Sequence, residues 1–387
     1  MIMNITRWFL TRLVLAVVLA VILAMGTLGS SARVPEALTP NDALSLYRVM
    51  NPNEETLATV AKTFEIVKRD GRVYEIIVPQ VKSAQFLSLL PHAEVLDLDI
   101  SASIHAKLQQ FALESETGYH DFDQVQAWLT AVETAHPQFA KVIRYGSSEQ
   151  QRPLLALRLS PEINPDINQG ITKEPHPALM LTAATHGDEL ITVEVLMELV
   201  NQFVNGFGKD PRFTNMLRKH DLYFIPVVNP DGYVRAARYD NGRDPNRSYP
   251  YPGDENKKPT ASIAAIIEFF KTRQIVGSID FHASGELVMY PWAYTRNPVD
   301  AAASERFRQL TNDMASTNGY TAGPISKVIY VAPGSSADYY FWQKQSISLG
   351  IEIGESKVPS PQQFPAYIQS QTESTWRFIE SFSSTLR

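Results

Sequence analysis

Five apolar segments dominate the second half of the chain: ALMLTAAT (178–185), LYFIPVVN (222–229), IVGSIDF (275–281), LVMYPW (287–292) and ISLGIEI (347–353). Each has strand length and is apolar at consecutive positions, so both of its faces need cover from water. Helical patterns separate them, roughly Leu190–Asn205, Thr260–Arg273, Ala301–Asn318 and Gln363–Phe382. This alternation predicts an α/β fold, a mixed, largely parallel sheet with helices on both faces. Chemistry in such sheets gathers beyond the carboxyl ends of the strands. A hairpin, Lys141–Tyr145 with Leu154–Ser160, precedes them.

A smaller unit stands upstream. LYRV (46–49) reads as a strand and Pro52–Thr63 as a helix with acids in its first turn. FEIVKRDGRVYEIIV (64–78) then alternates around Asp70-Gly71, a hairpin signal, followed by a helix over Val81–Leu90 and a strand over Glu94–Ile100. The order βαββαβ predicts a small ferredoxin-like α+β domain. Its one histidine, His92, sits beside Pro91 in a turn and reads as structural. Ser101–Ser115 reads as a linking helix, which gives three divisions: 1–32, 33–117 and 118–387.

The first division is read as an address. Arg7 and Arg12 flank a start without acids, Leu13–Met25 is unbroken apolar sequence, and small residues close on Ser30-Ser31-Ala32. Thirteen apolar residues fall short of the roughly 20 that span a bilayer. The pattern predicts a secretory signal peptide cleaved after Ala32. An uncleaved anchor is the alternative, because Trp8-Phe9-Leu10 lengthens the apolar run. The chain lacks cysteine, which excludes disulfides, thiolate metal sites and a Cys nucleophile. With export, this reads as a bacterial periplasmic or secreted protein. A net charge of −6 argues against nucleic acid as a partner.

Two strand ends carry metal-type side chains. His186 follows ALMLTAAT, and Glu189, three residues on, enters a helix on the same face. His282 closes Asp280-Phe281-His282 at another strand end. Two imidazoles and a carboxylate suit a catalytic zinc with a position left for water. HxxE alone is a weak signal, and taken by itself a solvated helix start explains it better.

The ordered series THGDE (185–189), NPDGY (229–233), DPNRSYP (244–250), FHASGELVMYP (281–291), IYVAPGSSADYY (329–340) and LGIEIGESK (349–357) resembles the zinc metallocarboxypeptidases of the carboxypeptidase A type. The likeness runs through nearly all of 119–380, and the upstream βαββαβ unit resembles that family's pro-segment. The resemblance implies one Zn2+ per chain, held by His186, Glu189 and His282. It implies Asp244 orienting His186, and Asn246, Arg247 and Tyr330 holding the carboxylate of a peptide C-terminus. Glu352 is implied as general base, with Glu355 the weaker candidate, and Arg238 as the group that polarises the scissile carbonyl. Arg235 and Arg243 compete with Arg238, because RYDNGRDPNR is compressed relative to relatives. Asp188 reads as a solvated turn or a positioning acid. The remaining histidines, His105, His120, His136, His176 and His220, read as surface or core residues.

The expected reaction is promoted-water hydrolysis of a C-terminal peptide bond. Relatives that release Lys or Arg carry an acid where this chain has Ala337, and Ala332 and Gly350 add no charge, so neutral, apolar or aromatic residues are the expected products. The expected partners are peptide or protein C-termini, with a monomeric chain and no stable membrane association once the signal is removed. No basic processing site lies between Lys107 and Tyr119. The upstream domain is therefore either cut by another protease or retained, and a latent precursor is the favoured reading. The rivals are a periplasmic murein-peptide carboxypeptidase or amidase with the same zinc site, a deacylase of the aspartoacylase kind, and a non-catalytic binding protein.

Overall fold

The computed structural model describes residues 43–61, 63–114, 118–161 and 177–382. The signal-peptide reading of 1–32 and His176 fall outside the described residues.

The upstream unit is β1 (Leu44–Met50), α1 (Glu54–Val60), β2 (Glu65–Asp70), β3 (Val73–Pro79), α2 (Ser83–Leu89) and β4 (Glu94–Asp97). Its sheet runs β2-β3-β1-β4 with every neighbouring pair antiparallel, the ferredoxin-like arrangement expected from the element order. α1 starts where the Asn53 side chain accepts from Thr56 N at 2.7 Å and Glu54 and Glu55 face the helix dipole. Gly71 turns the β2–β3 hairpin at φ +57°, a conformation that glycine adopts without strain. Tyr47, Ile66, Ile76, Val78 and Phe86 form this unit's own core.

Helix α3 (Ile100–Glu114) leads away from it. Its Ile104 and Leu108 are buried in the same apolar cluster as the core of the larger sheet, while Leu44 and Ile77 pack on Tyr239. The upstream unit is thus attached by apolar surface at two places.

The larger unit continues with α4 (Phe122–Ala135), β5 (Ala140–Ser147), β6 (Pro153–Leu159), β7 (Ala178–Thr182), α5 (Ile191–Gly206), α6 (Pro211–Lys219), β8 (Asp221–Ile225) and α7 (Pro230–Val234). α8 (Ala261–Lys271), β9 (Ile275–His282), β10 (Leu287–Tyr290), α9 (Ala301–Ser316), β11 (Thr321–Pro324), α10 (Ile325–Val328), α11 (Ser336–Lys344), β12 (Ile347–Glu352) and α12 (Phe364–Ser381) follow. The eight strands order as β11-β10-β12-β9-β7-β8-β6-β5. β10–β11, β12–β9, β7–β8 and β7–β9 are parallel, and β10–β12, β6–β8 and β5–β6 antiparallel. Along β7, Leu179 and Leu181 enter one apolar cluster with Leu196, Phe307 and Trp376. Ala178 and Met180 enter another with Ile266 and Tyr340. Alternate residues point to opposite faces, so helices cover the sheet on both sides. This is the mixed α/β fold expected.

Except for β9, the strands stop earlier than their apolar runs. β8 ends at Ile225, before Pro226, which cannot donate to a ladder. β7 ends at Thr182, and Ala183–Thr185 leave the sheet to carry His186. β11 is an addition to the expected strands: its sequence TAGP looks like a turn, and an edge position tolerates the proline. Helix α11 (SADYYFWQK) is another, because aromatic residues surround it and no apolar stripe shows.

Candidate metal centre

Two parallel strands lay down one side of the site. Asp280 and His282 on β9 are in register with Gly350 and Glu352 on β12. Residues two apart share a face of a strand, so the four positions form one patch at the carboxyl edge. On the other side of β9, β7 delivers His186 and Glu189.

A backbone seam fixes that turn. A Cβ at Gly187 would lie 2.2 Å from the carbonyl carbon of Gly232, and Gly187 N donates to Arg238 O at 3.4 Å. The turn bearing His186 and Glu189 is thereby pressed against the turn that ends in Arg238. Asp231 of the NPDGY segment faces away from the site: it accepts from Ser148 Oγ at 2.7 Å and Gln150 N at 3.0 Å, tying in the β5–β6 turn.

His186 Nδ1 lies 2.9 Å from Glu189 Oε1, His282 Nδ1 lies 2.9 Å from Glu189 Oε2, and the two Nδ1 atoms are 3.2 Å apart. All three side chains are buried. Nitrogen and oxygen ligands about 2.0–2.1 Å from a tetrahedral zinc stand roughly 3.3 Å from one another, so this spacing fits. The chemistry fits as well. His186 Nε2 is 3.1 Å from Asp244 Oδ1 and His282 Nε2 is 3.1 Å from Asp280 Oδ2. With protons on Nε2, both Nδ1 atoms are acceptors facing a carboxylate, a set that only a cation satisfies. Without a cation the two rings take up protons in its place, and then, although burial opposes it, His186, Lys357 and His282 hold the Glu189 carboxyl well below the usual range. Asp244 is held down likewise, against burial, by His186, Arg238 and Arg247.

These residues open onto a cavity of about 710 Å³ that also receives Arg238, Asn246, Arg247, Tyr330 and Glu352. Arg238, nearly buried, donates from Nη1 to Glu189 Oε1 at 3.1 Å. Its rivals are elsewhere: Arg235 is absent from the cavity wall, and Arg243 points outward to the carbonyls of Lys258 and Pro259. Arg247 donates from Nη2 to the Tyr330 hydroxyl at 2.5 Å. A Cβ at Gly334, which has φ +93°, would strike the Arg247 carbonyl at 2.5 Å, so this close approach and conformation require glycine. Burial and neighbouring Glu189 push Glu352 up to about 7, against the pull of His282 and His186. Glu355 is exposed. Met289 and Gly350 are paired across β10 and β12, and with Ala332, Ala337 and Ile325 they make one end of the cavity apolar. Asp338, one residue beyond Ala337, is turned away and accepts from Ala293 N at 2.7 Å and Tyr294 N at 2.8 Å.

Three acids stand out beside the sequence reading. Asp188, read as a solvated turn or a positioning acid, is buried and 2.7 Å from Lys357 Nζ, which also lies 3.6 Å from Glu189 Oε1, an arrangement that fits the second alternative and not the first. Asp280 has no role in that reading, although its spacing of two from His282 on a strand already places it on the same face. Glu65, from β2 of the upstream unit, reaches two arginines of the cavity wall. Arg238 donates to it from Nε at 3.0 Å and again from Nη2, and Arg247 Nη2 and the Tyr239 hydroxyl each lie 3.5 Å away. Nothing local in FEIVKRD separates Glu65 from a solvated strand acid. Only the docking of the two units reveals it.

Comparison with known proteins agrees with this geometry. A family profile described as Zinc carboxypeptidase matches residues 125–376. The chain is 27% identical over 310 residues to "Zinc carboxypeptidase" of Saccharothrix mutabilis subsp. capreolus, covering 69% of each. It is 22% identical over 368 residues to "Carboxypeptidase D" of Anas platyrhynchos, covering 82% of this chain but 26% of that longer protein. Its fold is similar to a carboxypeptidase A from Helicoverpa armigera, with a TM-score of 0.71 at 16% identity, over 90% of this chain and 99% of that one. The chain belongs to the zinc carboxypeptidase family, zinc-dependent hydrolases of peptide bonds that act at the carboxyl ends of peptides.

Proposed function

We propose that this carboxypeptidase releases neutral, apolar or aromatic residues, that His186, Glu189 and His282 hold its zinc, and that the full chain is a latent, exported form. One observation carries the reading: a single cavity joins the His-Glu-His cluster, two arginines and an apolar end that, among the described residues, has no buried acid facing it.

When bound, zinc supplies Lewis acidity, which acidifies water and polarises a carbonyl. Arg247, with its planar pair of donors, holds the terminal carboxylate, helped by Asn246 and the Tyr330 hydroxyl. An internal amide offers no such anion, so these groups select chain ends. Arg238 donates N–H to the scissile carbonyl oxygen as negative charge builds there. Glu352 takes a proton from the attacking water and returns it to the departing amine nitrogen. The terminal side chain rests among Met289, Ala332, Ala337 and Gly350, where a cation would be stripped of water without a partner.

The decisive experiment is a panel of blocked dipeptides ending in Phe, Leu, Lys, Arg or Glu, assayed with and without a chelator. Phe and Leu should be released at least tenfold faster than Lys or Arg, and chelation should abolish release until zinc is restored. A tenfold preference for Lys or Arg would refute the apolar reading, and release only from a murein tripeptide would favour a cell-wall role. Ala337→Asp should raise kcat/KM for Lys and Arg relative to Leu by at least tenfold, because the new carboxylate would face the cation in a desolvated pocket.

Latency is supported by Glu65, a carboxylate set on the two arginines that a substrate would need. Tyr330 also packs against the upstream unit's core. The export proposal rests on the residue pattern of Met1–Ala32.

A further inference from the structure

Asp280 is buried, and both of its oxygens are occupied. Oδ1 accepts from Thr182 Oγ1 and Thr185 Oγ1, each at 2.8 Å, and Oδ2 accepts from Ser336 Oγ at 2.8 Å while lying 3.1 Å from His282 Nε2. Three hydroxyls from two separate parts of the fold therefore anchor one carboxylate beside one imidazole nitrogen.

That nitrogen has a second neighbour. Asn246 Nδ2 also lies 3.1 Å from His282 Nε2. The amide cannot be turned round, because its Oδ1 accepts from Ser336 N at 2.9 Å. His282 Nε2 thus faces an acceptor and a donor at equal distance, and it can satisfy only one. If Nε2 carries a proton it pairs with Asp280, and Nδ1 keeps its lone pair for a cation. If Nε2 is bare it pairs with the Asn246 amide, Nδ1 is protonated, and the ring cannot be a ligand.

Resting on the reading that His186, Glu189 and His282 hold the zinc, we propose that Asp280 is the positioning residue for His282. It keeps the proton on Nε2, aims Nδ1 at the metal and leaves the Asn246 amide free for a substrate carboxylate. The two imidazoles are then served alike, His186 by Asp244 and His282 by Asp280. Carboxylates behind metal-bound imidazoles typically change metal affinity by 10- to 100-fold when removed.

The test measures zinc affinity of the full chain by competition with a chromophoric chelator. Asp280→Asn, nearly identical in shape, should weaken zinc binding about 10- to 100-fold, with the zinc-free chain melting within a few degrees of wild type. Equal zinc affinity, within twofold, in a folded D280N chain would overturn the inference. Should D280N not fold, imidazole N–H signals of the zinc-loaded wild-type chain decide. His282 Hε2 should be shifted downfield and protected from exchange, as for His186, whereas a signal exchanging like a free imidazole would refute the pairing. If wild type bound no zinc, the ligand assignment itself would fail. If wild type binds and D280N is unaffected, only the role of Asp280 falls.

Discussion

Glu352→Gln should lower kcat by about 10²- to 10⁴-fold, the range by which a positioned proton acceptor accelerates such reactions, and leave one zinc per chain. The amide keeps the shape of the side chain and cannot take a proton. Glu352 is in register with His282 on the adjoining strand, yet it lies outside the mutually close His186–Glu189–His282 group. The substitution should therefore spare the metal and leave KM within a few-fold. Kinetics on a blocked dipeptide ending in Phe, together with metal content by atomic absorption, check both halves. If E352Q kept its zinc and more than a tenth of wild-type kcat, Glu352 would be removed from the proton path. Glu355→Gln is the comparator: this side chain is exposed, and its substitution should leave kcat within twofold.

Glu65→Ala in the intact chain should raise kcat/KM toward small blocked dipeptides about ten- to a hundredfold. Hydrogen bonds to charged groups are worth about 1.5–3 kcal/mol each, and about 1.4 kcal/mol corresponds to a factor of ten. Glu65 engages Arg238 through two donors and stands near Arg247, so its carboxylate occupies the groups proposed to meet the substrate's carbonyl and carboxylate. Arg238 keeps Glu189 and Asp244 as partners after the change, which limits the cost of losing Glu65. Long peptides should gain less, because the upstream sheet still covers the mouth. Unchanged activity in E65A on the smallest substrates would dismiss Glu65 as the block.

The contrast between these residues shows where reading a sequence succeeds. The sheet is legible because β7, β8, β9 and β12 are apolar on both faces, and their order and helical spacing follow from covering them. His186 and Glu189 are legible as a pair because three residues on one turn place both on one face. His282 is legible as a strand-terminal imidazole. Arg238 is ambiguous among three arginines, since spacing within an irregular segment does not determine direction. Of the three, Arg238 is the one whose side chain lines the cavity beside Glu189. Asp280 carries a signal, the period of two, but a strand acid has no meaning until Thr182, Thr185 and Ser336 converge on it from elsewhere. Glu65 carries none. Its role comes from the packing of Leu44 and Ile77 on Tyr239 and of α3 into the larger core.

The Gly187–Gly232 seam has a consequence for anyone who would reshape this catalyst. Two loops that differ in origin and duty meet there with no side chain between them, so no graded series of substitutions can widen or narrow the joint. The spacing between the turn that ends in Arg238 and the turn bearing His186 and Glu189 is therefore set as a unit. On the proposed function, variation in specificity then falls to the far wall, around Met289 and Ala337, where side chains rather than bare backbone line the cavity.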